Sequence, residues 1–155
     1  MYVGRVSHEP QPVEAVYRSS WLALTRLAYL LVGDPGSAED IVQAVFTTAV
    51  ARWTTIDEPA AYLRRAVVNR ANDAHRRAYR AATTNVSFAE SIAQPEVDEL
   101  SDLVRMLPAR QRAVVVLRFY EDLPLVDIAT LLDRPASTVR SDLRRALMTL
   151  RESLR

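Results

Sequence analysis

The sequence predicts an all-α fold made of two small helical domains that are joined by a flexible linker. The 155 residues are 49% apolar and include three glycines, and the frequent Ala, Leu, Val and Arg favour helices over strands. Apolar residues recur at spacings of three and four along two separate blocks, as they do on helices with one buried face. Between the blocks, residues 82–97 mix Thr, Ser, Asn, Gln and Pro with isolated apolar positions, a composition typical of a linker.

The first block predicts a domain over residues 13–81. Residues 1–12 show no periodicity, and we expect them to form a disordered N-terminal tail. From Val13 to Val32 apolar residues occur at every third or fourth position, which indicates an amphipathic helix. The Gly-Asp-Pro-Gly run at 33–36 should end this helix, because these residue types favour turns.

A second helix is predicted to run from about Ser37 to Trp53. Ser37 has the residue type of an N-cap, and Glu39 and Asp40 follow in the first turn, where the helix dipole stabilises acidic side chains. A short loop at residues 54–60 should connect this helix to the next one.

The third helix, predicted over residues 62–80, carries the most distinctive pattern in the chain. Residues 61–80 contain six Arg and one Asp, a net charge of +5, whereas the whole chain carries +1. One side of this helix is apolar, with Leu63, Val67, Ala71, Ala74 and Ala78. The opposite stripe consists of Tyr62, Arg65, Asn69, Asp73, Arg76 and Arg80. Charged helix faces often simply face water, but a stripe that adds an amide and an aromatic ring to the arginines is suited to nucleic acid.

The second block predicts a helix-turn-helix domain over residues 98–155. Helices are expected over about 98–106, 108–120, 125–132 and 136–154, and the turn between the last two has helix-turn-helix length. A plain helical hairpin would have the same proportions. What favours DNA binding is the outer face of the last helix, which carries Ser137, Ser141, Arg144, Arg145 and, at its flank, Arg140.

Charge is segregated along the chain. Residues 81–104 carry a net charge of −5, and residues 105–155 carry a net charge of +4. Two basic blocks therefore flank an acidic connector, an arrangement expected of two DNA-contacting modules on a tether.

The sequence predicts neither an enzyme nor a cofactor-binding protein. It contains no cysteine, and its two histidines, His8 and His75, are far apart and belong to no cluster with metal-ligand spacing. No glycine-rich phosphate loop or serine nucleophile motif occurs. No apolar run approaches the roughly 20 residues that span a membrane, and the lack of cysteine suits a reducing cytoplasm. We therefore expect a cytoplasmic protein with no catalytic residue, no metal site, no cofactor and no membrane partner.

The motifs resemble those of the small extracytoplasmic-function sigma factors of bacteria (group 4 of the sigma-70 family), which carry only the second and fourth conserved sigma regions. AEDIVQAVF is similar to the family's polymerase-binding helix, and AYLRRAVVNRANDAHRR is similar to its −10 recognition helix. LPARQRAVVVLRFYEDLPLVDIATLLDRPASTVRSDLRRAL is similar to the fourth region. The resemblance covers about residues 13–80 and 99–153, and it implies a region 2-like helical bundle followed by a region 4-like helix-turn-helix domain. It further implies that the chain binds core RNA polymerase and promoter DNA to direct promoter-specific initiation, and that an anti-sigma factor is a further partner.

The resemblance also assigns roles to individual residues. Core polymerase would be bound by Asp40, Gln43 and Phe46, although on residue type alone Asp40 is equally a first-turn acid and Phe46 equally a core residue. The melted −10 strand would be held by Ile56 in the preceding loop and by Arg65, Asn69, Asp73, Arg76, Arg77 and Arg80 on the third helix. The −35 duplex would be read by Ser137, Thr138, Arg140, Ser141, Arg144 and Arg145.

Four positions depart from the family's pattern. Ala44 stands in place of an acid, Asp133 in place of a turn glycine, Pro135 in place of a serine N-cap, and Asp142 in place of a frequent arginine. Because Asp tolerates the left-handed conformation, we expect the turn at Asp133 to form. We expect Asp142 to place a negative charge beside the DNA-binding face.

Two alternatives belong to other classes of protein: a helix-turn-helix regulator that acts without polymerase, and a sigma-like protein that titrates an anti-sigma factor. The acidic linker is either a solvated tether or, as the family resemblance suggests, an RNA mimic in the polymerase channels. Because the linker is poor in apolar residues, we expect the two domains to move independently in the free chain.

Overall fold

A computed structural model describes residues 11–81 and 99–155, and the regular elements within these ranges are all helical. The N-terminal half contains α1 (Val13–Val32), α2 (Pro35–Val50), a short 3₁₀ turn (Trp53–Thr55) and α3 (Pro59–Ala81). The C-terminal half contains α4 (Glu99–Met106), α5 (Ala109–Val115), α6 (Leu125–Leu132) and α7 (Ala136–Ser153). The predicted all-α fold of two helical domains is confirmed. The predicted linker and most of the predicted N-terminal tail lie outside the described residues.

The start of α1 is attached to the rest of the N-terminal half. The indole Nε1 of Trp53 donates to the carbonyl of Gln11 at 2.7 Å, and Pro12 is the N-cap residue of α1. At the other end, Gly33 adopts the left-handed conformation with φ 77°, and its N–H donates to the carbonyl of Tyr29 at 2.8 Å.

Helix α2 begins two residues earlier than predicted, and its N-cap is Asp34 rather than Ser37. The Asp34 carboxylate accepts the backbone N–H of Ser37 at 2.7 Å, and Pro35 occupies the first helical position. Proline suits this position because its fixed φ is helical and its missing N–H would have no partner there. As a result Glu39 and Asp40 lie beyond the first turn.

Helix α1 packs against both α2 and α3 to form the core of the N-terminal half. Leu27, Val42, Leu63 and Val67 are fully buried at the centre of this core. Burial of these large apolar side chains is the main stabilising contribution to such a helical bundle.

In the C-terminal half, α5 continues as a π-helical turn over Val116–Tyr120. The N–H of Glu121 donates to the carbonyl of Val116 at 3.2 Å, so the predicted single helix of residues 108–120 ends in a wider turn. The pair α6 and α7 follows as predicted, with Ile128 and Val139 fully buried between the helices of this half.

The two halves are in contact in this structure, and their independent movement in the free chain stays a prediction. The carbonyl of Leu31, at the end of α1, accepts from Arg112 Nη1 of α5 at 3.2 Å. The Arg105 guanidinium lies 5.1 Å from the centre of the Tyr29 ring. A single cluster of buried apolar residues contains members of both halves. The last turn of α1 thus supplies a backbone carbonyl that accepts a hydrogen bond, and apolar side chains that pack against the C-terminal half.

Among the described helices, none is long and apolar enough to cross a lipid bilayer.

Candidate nucleic-acid interface

The outer face of α3 forms as the sequence predicts. Opposite the buried Leu63, Val67 and Ala71, the side chains of the following residues are exposed: Arg65, Asn69, Asp73, Arg76 and Arg77. The exposed set combines three guanidinium groups with an amide and a carboxylate. The side chain of Arg80 lies outside the described part of the structure.

An open cleft lies beside the N-terminal end of α3. Its volume is about 300 Å³, and Ile56, Tyr62 and Arg65 line it together with residues of the loop before the helix. Ile56 and Tyr62 are half-buried because both pack against the core of the domain. The Tyr62 ring therefore forms part of the cleft rather than standing free on the outer stripe. An aliphatic group, a ring and a guanidinium in one cleft are the groups that accommodate an unstacked base.

The outer face of α7 is a second basic surface. Val139 and Ala146 are fully buried and orient the helix on α5 and α6. Ser137, Arg140, Ser141, Arg144 and Arg145 are exposed, and Thr138 is half-buried. The Ser141 hydroxyl donates to the Ser137 carbonyl at 3.0 Å, so its proton is engaged within the helix. The three arginines are exposed to solvent.

The turn before α7 is built as expected at Asp133, which has φ 51° at the end of α6. Its N–H donates to the Thr130 carbonyl at 3.2 Å, and the next N–H, of Arg134, donates to the Ala129 carbonyl at 3.0 Å. Pro135 is the N-cap of α7 and provides no side-chain hydrogen bond to the helix start. The backbone alone therefore fixes the start of α7.

The expectation for Asp142 is wrong, because this side chain does not lie beside the exposed basic face. Asp142 is buried, and its Oδ2 accepts from Arg134 Nη1 at 3.1 Å. Arg134 lies in the turn before α7, and its side chain extends along the first two turns of the helix to Asp142. The negative charge is thus compensated inside the domain, and the outer face of α7 keeps its positive charge. The apolar pattern along α7 does not predict this ion pair, because Arg134 lies in the turn outside the helix.

The three residues of α2 that the family resemblance assigns to polymerase binding do not all face solvent. Asp40 and Gln43 are exposed. Phe46 is 3% exposed, and its ring centre lies 4.9 Å from that of Tyr17 and 6.1 Å from that of Trp21. Phe46 therefore packs in an aromatic cluster between α1 and α2. The sequence signal for this cluster is the i, i+4 spacing of Tyr17 and Trp21, which places both rings on one face of α1.

A shallow cavity of about 290 Å³ lies next to that cluster, and Tyr17, Gln43, Phe46 and Val50 are among the residues that line it. Tyr17 and Val50 are partly open to solvent, at 37% and 53% exposure. These apolar groups adjoin the exposed Gln43, and sequence reasoning did not identify them.

The described part of the chain contains no group of three or more His, Cys, Asp or Glu side chains that could hold a metal ion. The His75 Nε2 lies 2.6 Å from the Leu31 carbonyl, which indicates that this nitrogen carries a proton and donates. His75 thus has a structural partner at the end of α1.

Comparison with known proteins identifies both halves. The family model "Sigma-70 region 2" matches residues 17–81, and the model "Sigma-70, region 4" matches residues 98–150. The RNA polymerase sigma-E factor of Streptomyces coelicolor is 34% identical over 154 residues, which covers 91% of this chain and 85% of the relative. The RNA polymerase sigma factor SigV of Bacillus subtilis is 28% identical, with 83% of this chain and 82% of the relative covered.

A solved structure has the same fold: that of the sigma factor RpoE in complex with the anti-sigma factor NepR from Bartonella quintana. It matches with a TM-score of 0.70 and 22% identity, over 91% of this chain and 95% of the other. The two sigma regions, their order and the identity to curated relatives agree with the motifs in the sequence. The chain belongs to the extracytoplasmic-function group of the sigma-70 family of RNA polymerase sigma factors.

Proposed function

We propose that this chain directs core RNA polymerase to promoters by binding the melted −10 strand with its N-terminal half and the −35 duplex with its C-terminal half. Residues 13–81 also dock on the polymerase, and residues 98–155 serve as the duplex-binding domain. The polymerase supplies the catalysis, and the chain acts in the cytoplasm together with it.

The observation that carries this division is the difference in shape between the two basic surfaces. The surface of α3 adjoins a cleft lined by Ile56, Tyr62 and Arg65. A base that has left the stack needs such an apolar and aromatic slot, and the exposed amide of Asn69 is suited to the edge of a neighbouring base. A base inside a duplex cannot reach a cleft of this kind.

The surface of α7 has the opposite character. Arg140, Arg144 and Arg145 are exposed on a helix whose other side is anchored in a helix-turn-helix. A single helix fits the major groove of B-DNA, and arginine can donate two hydrogen bonds to one guanine there. The burial of Asp142 keeps its carboxylate away from this surface.

For the polymerase contact, we assign Asp40 and Gln43 to the interface and Phe46 to the positioning of α2. Both polar side chains are exposed on one face of a helix that carries neither basic surface. The buried Phe46 holds that helix against α1 through the aromatic cluster. The partly open Tyr17 and Val50 add apolar area beside Gln43.

An anti-sigma factor is a further partner in this proposal. The solved sigma factor with the same fold is in complex with one. A helix-turn-helix regulator that acts without polymerase has no support, because the region 2 match covers the half that such a regulator would not need.

Transcription in a purified system tests the proposed function. Core polymerase and genomic DNA with this chain should yield transcripts with defined 5′ ends, whose upstream sequences share two motifs separated by a constant spacer. If core polymerase initiates at the same positions with and without the chain, the proposal is wrong, and titration of an anti-sigma factor becomes the better explanation.

Binding to core polymerase tests the role of α2. The double variant Asp40→Asn with Gln43→Ala should bind core polymerase about tenfold more weakly, the range expected when two polar contacts at an interface are lost. Glu39→Gln is the matched control, because Glu39 is exposed on the same helix and has no assigned role. Equal binding by the two variants would remove α2 from the interface.

A further inference from the structure

An open cavity of about 510 Å³ lies where the two halves meet. Small-molecule sites in proteins have volumes of about 300–1,000 Å³ and are lined mainly by apolar side chains. The apolar lining of this cavity is buried and comes from both halves, with Leu31 of α1, Val68 and Ala71 of α3, Ala113 of α5 and Leu132 of α6. The size and the lining of the cavity therefore suit a small organic ligand.

Three arginines add positive charge to the same cavity. They are Arg76 of α3, Arg110 of α5 and Arg134 of the turn before α7. None of the described residues that line the cavity is acidic. Arg134 is paired with Asp142, whereas Arg76 and Arg110 are exposed and form no ion pair with an acidic residue of the described ranges. Two guanidinium groups are thus available for an anion.

The excess of positive charge affects Arg134 directly. Burial and the charge of Arg110 hold the pKa of Arg134 below its usual range, Arg76 adds to this effect, and Asp142 opposes it only in part. A bound anion would offset the repulsion among the three guanidinium groups. Arginine donates paired hydrogen bonds to phosphate oxygens, so a phosphate group fits this site in both charge and geometry.

Two further polar side chains line the cavity, and only one of them has a partner. The His75 Nε2 is held by the Leu31 carbonyl at 2.6 Å, which fixes the imidazole ring. The Asn72 side chain is half-buried and makes no hydrogen bond to a residue of the described ranges. Because an amide both donates and accepts, Asn72 can pair with the polar edge of a planar ring.

Contacts outside the cavity hold the halves together around it. The Leu31 carbonyl accepts from Arg112 of α5 at 3.2 Å, and Arg64 Nη1 of α3 lies 3.1 Å from Glu121 Oε2. The side chains of Arg112, Arg64 and Glu121 are not part of the cavity lining. A ligand can therefore enter without breaking these contacts, and it stabilises the contact between the halves because both supply its site.

We propose that this cavity is a binding site for a small phosphorylated organic anion of the size of a nucleoside diphosphate. Arg76 and Arg110 hold the phosphates, and the organic ring lies on the apolar lining beside Asn72. The site gives the chain a response to a small molecule that is separate from promoter recognition, although Arg76 also belongs to the outer face of α3.

Titration calorimetry of the full chain with guanosine diphosphate tests the proposal. Inorganic pyrophosphate and guanosine are titrated separately. Guanosine diphosphate should bind in a one-to-one ratio and at least about tenfold more tightly than either part, because it uses both the arginines and the apolar lining. If no binding of guanosine diphosphate is detected at millimolar concentration, or if pyrophosphate binds equally well, the proposed site is wrong.

Arg110→Ala should weaken the binding of guanosine diphosphate at least about tenfold, the range expected when a hydrogen bond to a charged group is lost. This variant keeps the backbone carbonyl of residue 110 that accepts from Arg134. Arg151→Ala is the matched control, because Arg151 is exposed in the last turn of α7 and lies outside the cavity lining. Equal losses in the two variants would indicate adventitious binding to the basic surface and would overturn the proposal.

Ala109→Leu tests the cavity without changing any charge. Ala109 is half-buried at the start of α5 and lines the cavity. The larger side chain should weaken guanosine diphosphate at least about tenfold and leave pyrophosphate within about twofold, since it removes room for the ring and not for the phosphates. Unchanged binding of guanosine diphosphate would show that the ligand lies elsewhere. Thermal unfolding without ligand checks that the variant folds, and if it does not, Arg110→Ala and its control decide.

A random-sequence single strand of DNA separates a small-molecule site from an extension of the α3 surface. Its affinity should be the same for Ala109→Leu and the unmodified chain. If Ala109→Leu weakens the strand as much as it weakens guanosine diphosphate, the cavity belongs to the DNA-binding surface and the small-molecule assignment is wrong.

Discussion

Asp142 Oδ2 and Arg134 Nη1 lie 3.1 Å apart, and their side chains are only 9% and 12% exposed. Arg134 Nη1 also lies 3.4 Å from the carbonyl of Arg110. One guanidinium therefore links α7, the turn before it and the start of α5. No side chain caps the start of α7, where Pro135 is the N-cap residue.

We predict that Asp142→Ala lowers the free energy of unfolding by about 3 kcal/mol, because it leaves Arg134 buried without its partner and close to other arginines. Urea unfolding of the full chain measures this effect, with Asp57→Ala as the control at an exposed aspartate. The double replacement Asp142→Leu with Arg134→Met should recover much of the loss, since it removes both charges. If Asp142→Ala is as stable as the control, the Arg134–Asp142 pair contributes nothing to the free energy of unfolding.

Asp34 gives a prediction that depends on pH. Hydrogen bonds from the hydroxyl and the backbone N–H of Ser37 hold the pKa of Asp34 below its usual range. Because the folded-state pKa is the lower one, this stabilisation is present above the unfolded-state value of about 3.9 and is lost as the pH falls through the folded-state value.

Asp34→Ala should therefore cost about 1 kcal/mol of stability near neutral pH, and the difference from the unmodified chain should shrink below about pH 4. Thermal unfolding of both proteins between neutral pH and pH values below 4 measures this difference in stability. Ser37→Ala keeps the backbone N–H and should cost less than half as much. A larger loss for Ser37→Ala would restore Ser37 as the residue that fixes the start of α2.

Much of the secondary structure could be predicted because it depends on local pattern. Val13–Val32 and Leu125–Leu132 have the predicted bounds, since apolar spacing and flanking Gly, Asp and Pro determine where such helices begin and end. The start of α2 was missed because Asp34 and Ser37, three positions apart, both have residue types that suit an N-cap. The wider turn at the end of α5 has no local signal in the apolar pattern.

The contacts between elements could not be predicted in the same way. The burial of Phe46 depends on Tyr17 and Trp21 of another helix. The Arg64–Glu121 pair joins residues that are 57 positions apart. A single sequence gives the faces of each helix but not which faces meet.

The cleft beside α3 predicts a specific role for the ring of Tyr62. In polymerase holoenzyme, Tyr62→Leu should weaken binding to a template with a single-stranded −10 region by about 1–3 kcal/mol, the value of one base–ring stack. Leucine keeps apolar packing against the core, and Tyr62→Phe keeps the ring and should bind normally. Equal losses for both variants would indicate that the hydroxyl, or the fold, is responsible instead.

The division of labour between α3 and α7 predicts opposite behaviour of Asn69→Ala and Arg144→Ala on two templates. Loss of a bidentate arginine–guanine contact costs about 1–3 kcal/mol and relaxes sequence preference at one position. Arg144→Ala should therefore reduce output from a duplex promoter and spare a template with a pre-melted −10 bubble and no −35 element. Arg151→Ala is the control, since Arg151 is exposed in the last turn of the same helix.

The most direct measurement is the rate of promoter opening by the Asn69→Ala and Arg144→Ala holoenzymes, followed by permanganate reactivity of unpaired thymines. Asn69→Ala should form the closed complex nearly as well as the unmodified protein and open the duplex promoter slowly. Arg144→Ala should be impaired in closed-complex formation and act normally on the pre-melted template. If Asn69→Ala opens promoters at the normal rate while Arg144→Ala fails on the pre-melted template as well, the assignment of single-strand binding to α3 and duplex binding to α7 is wrong.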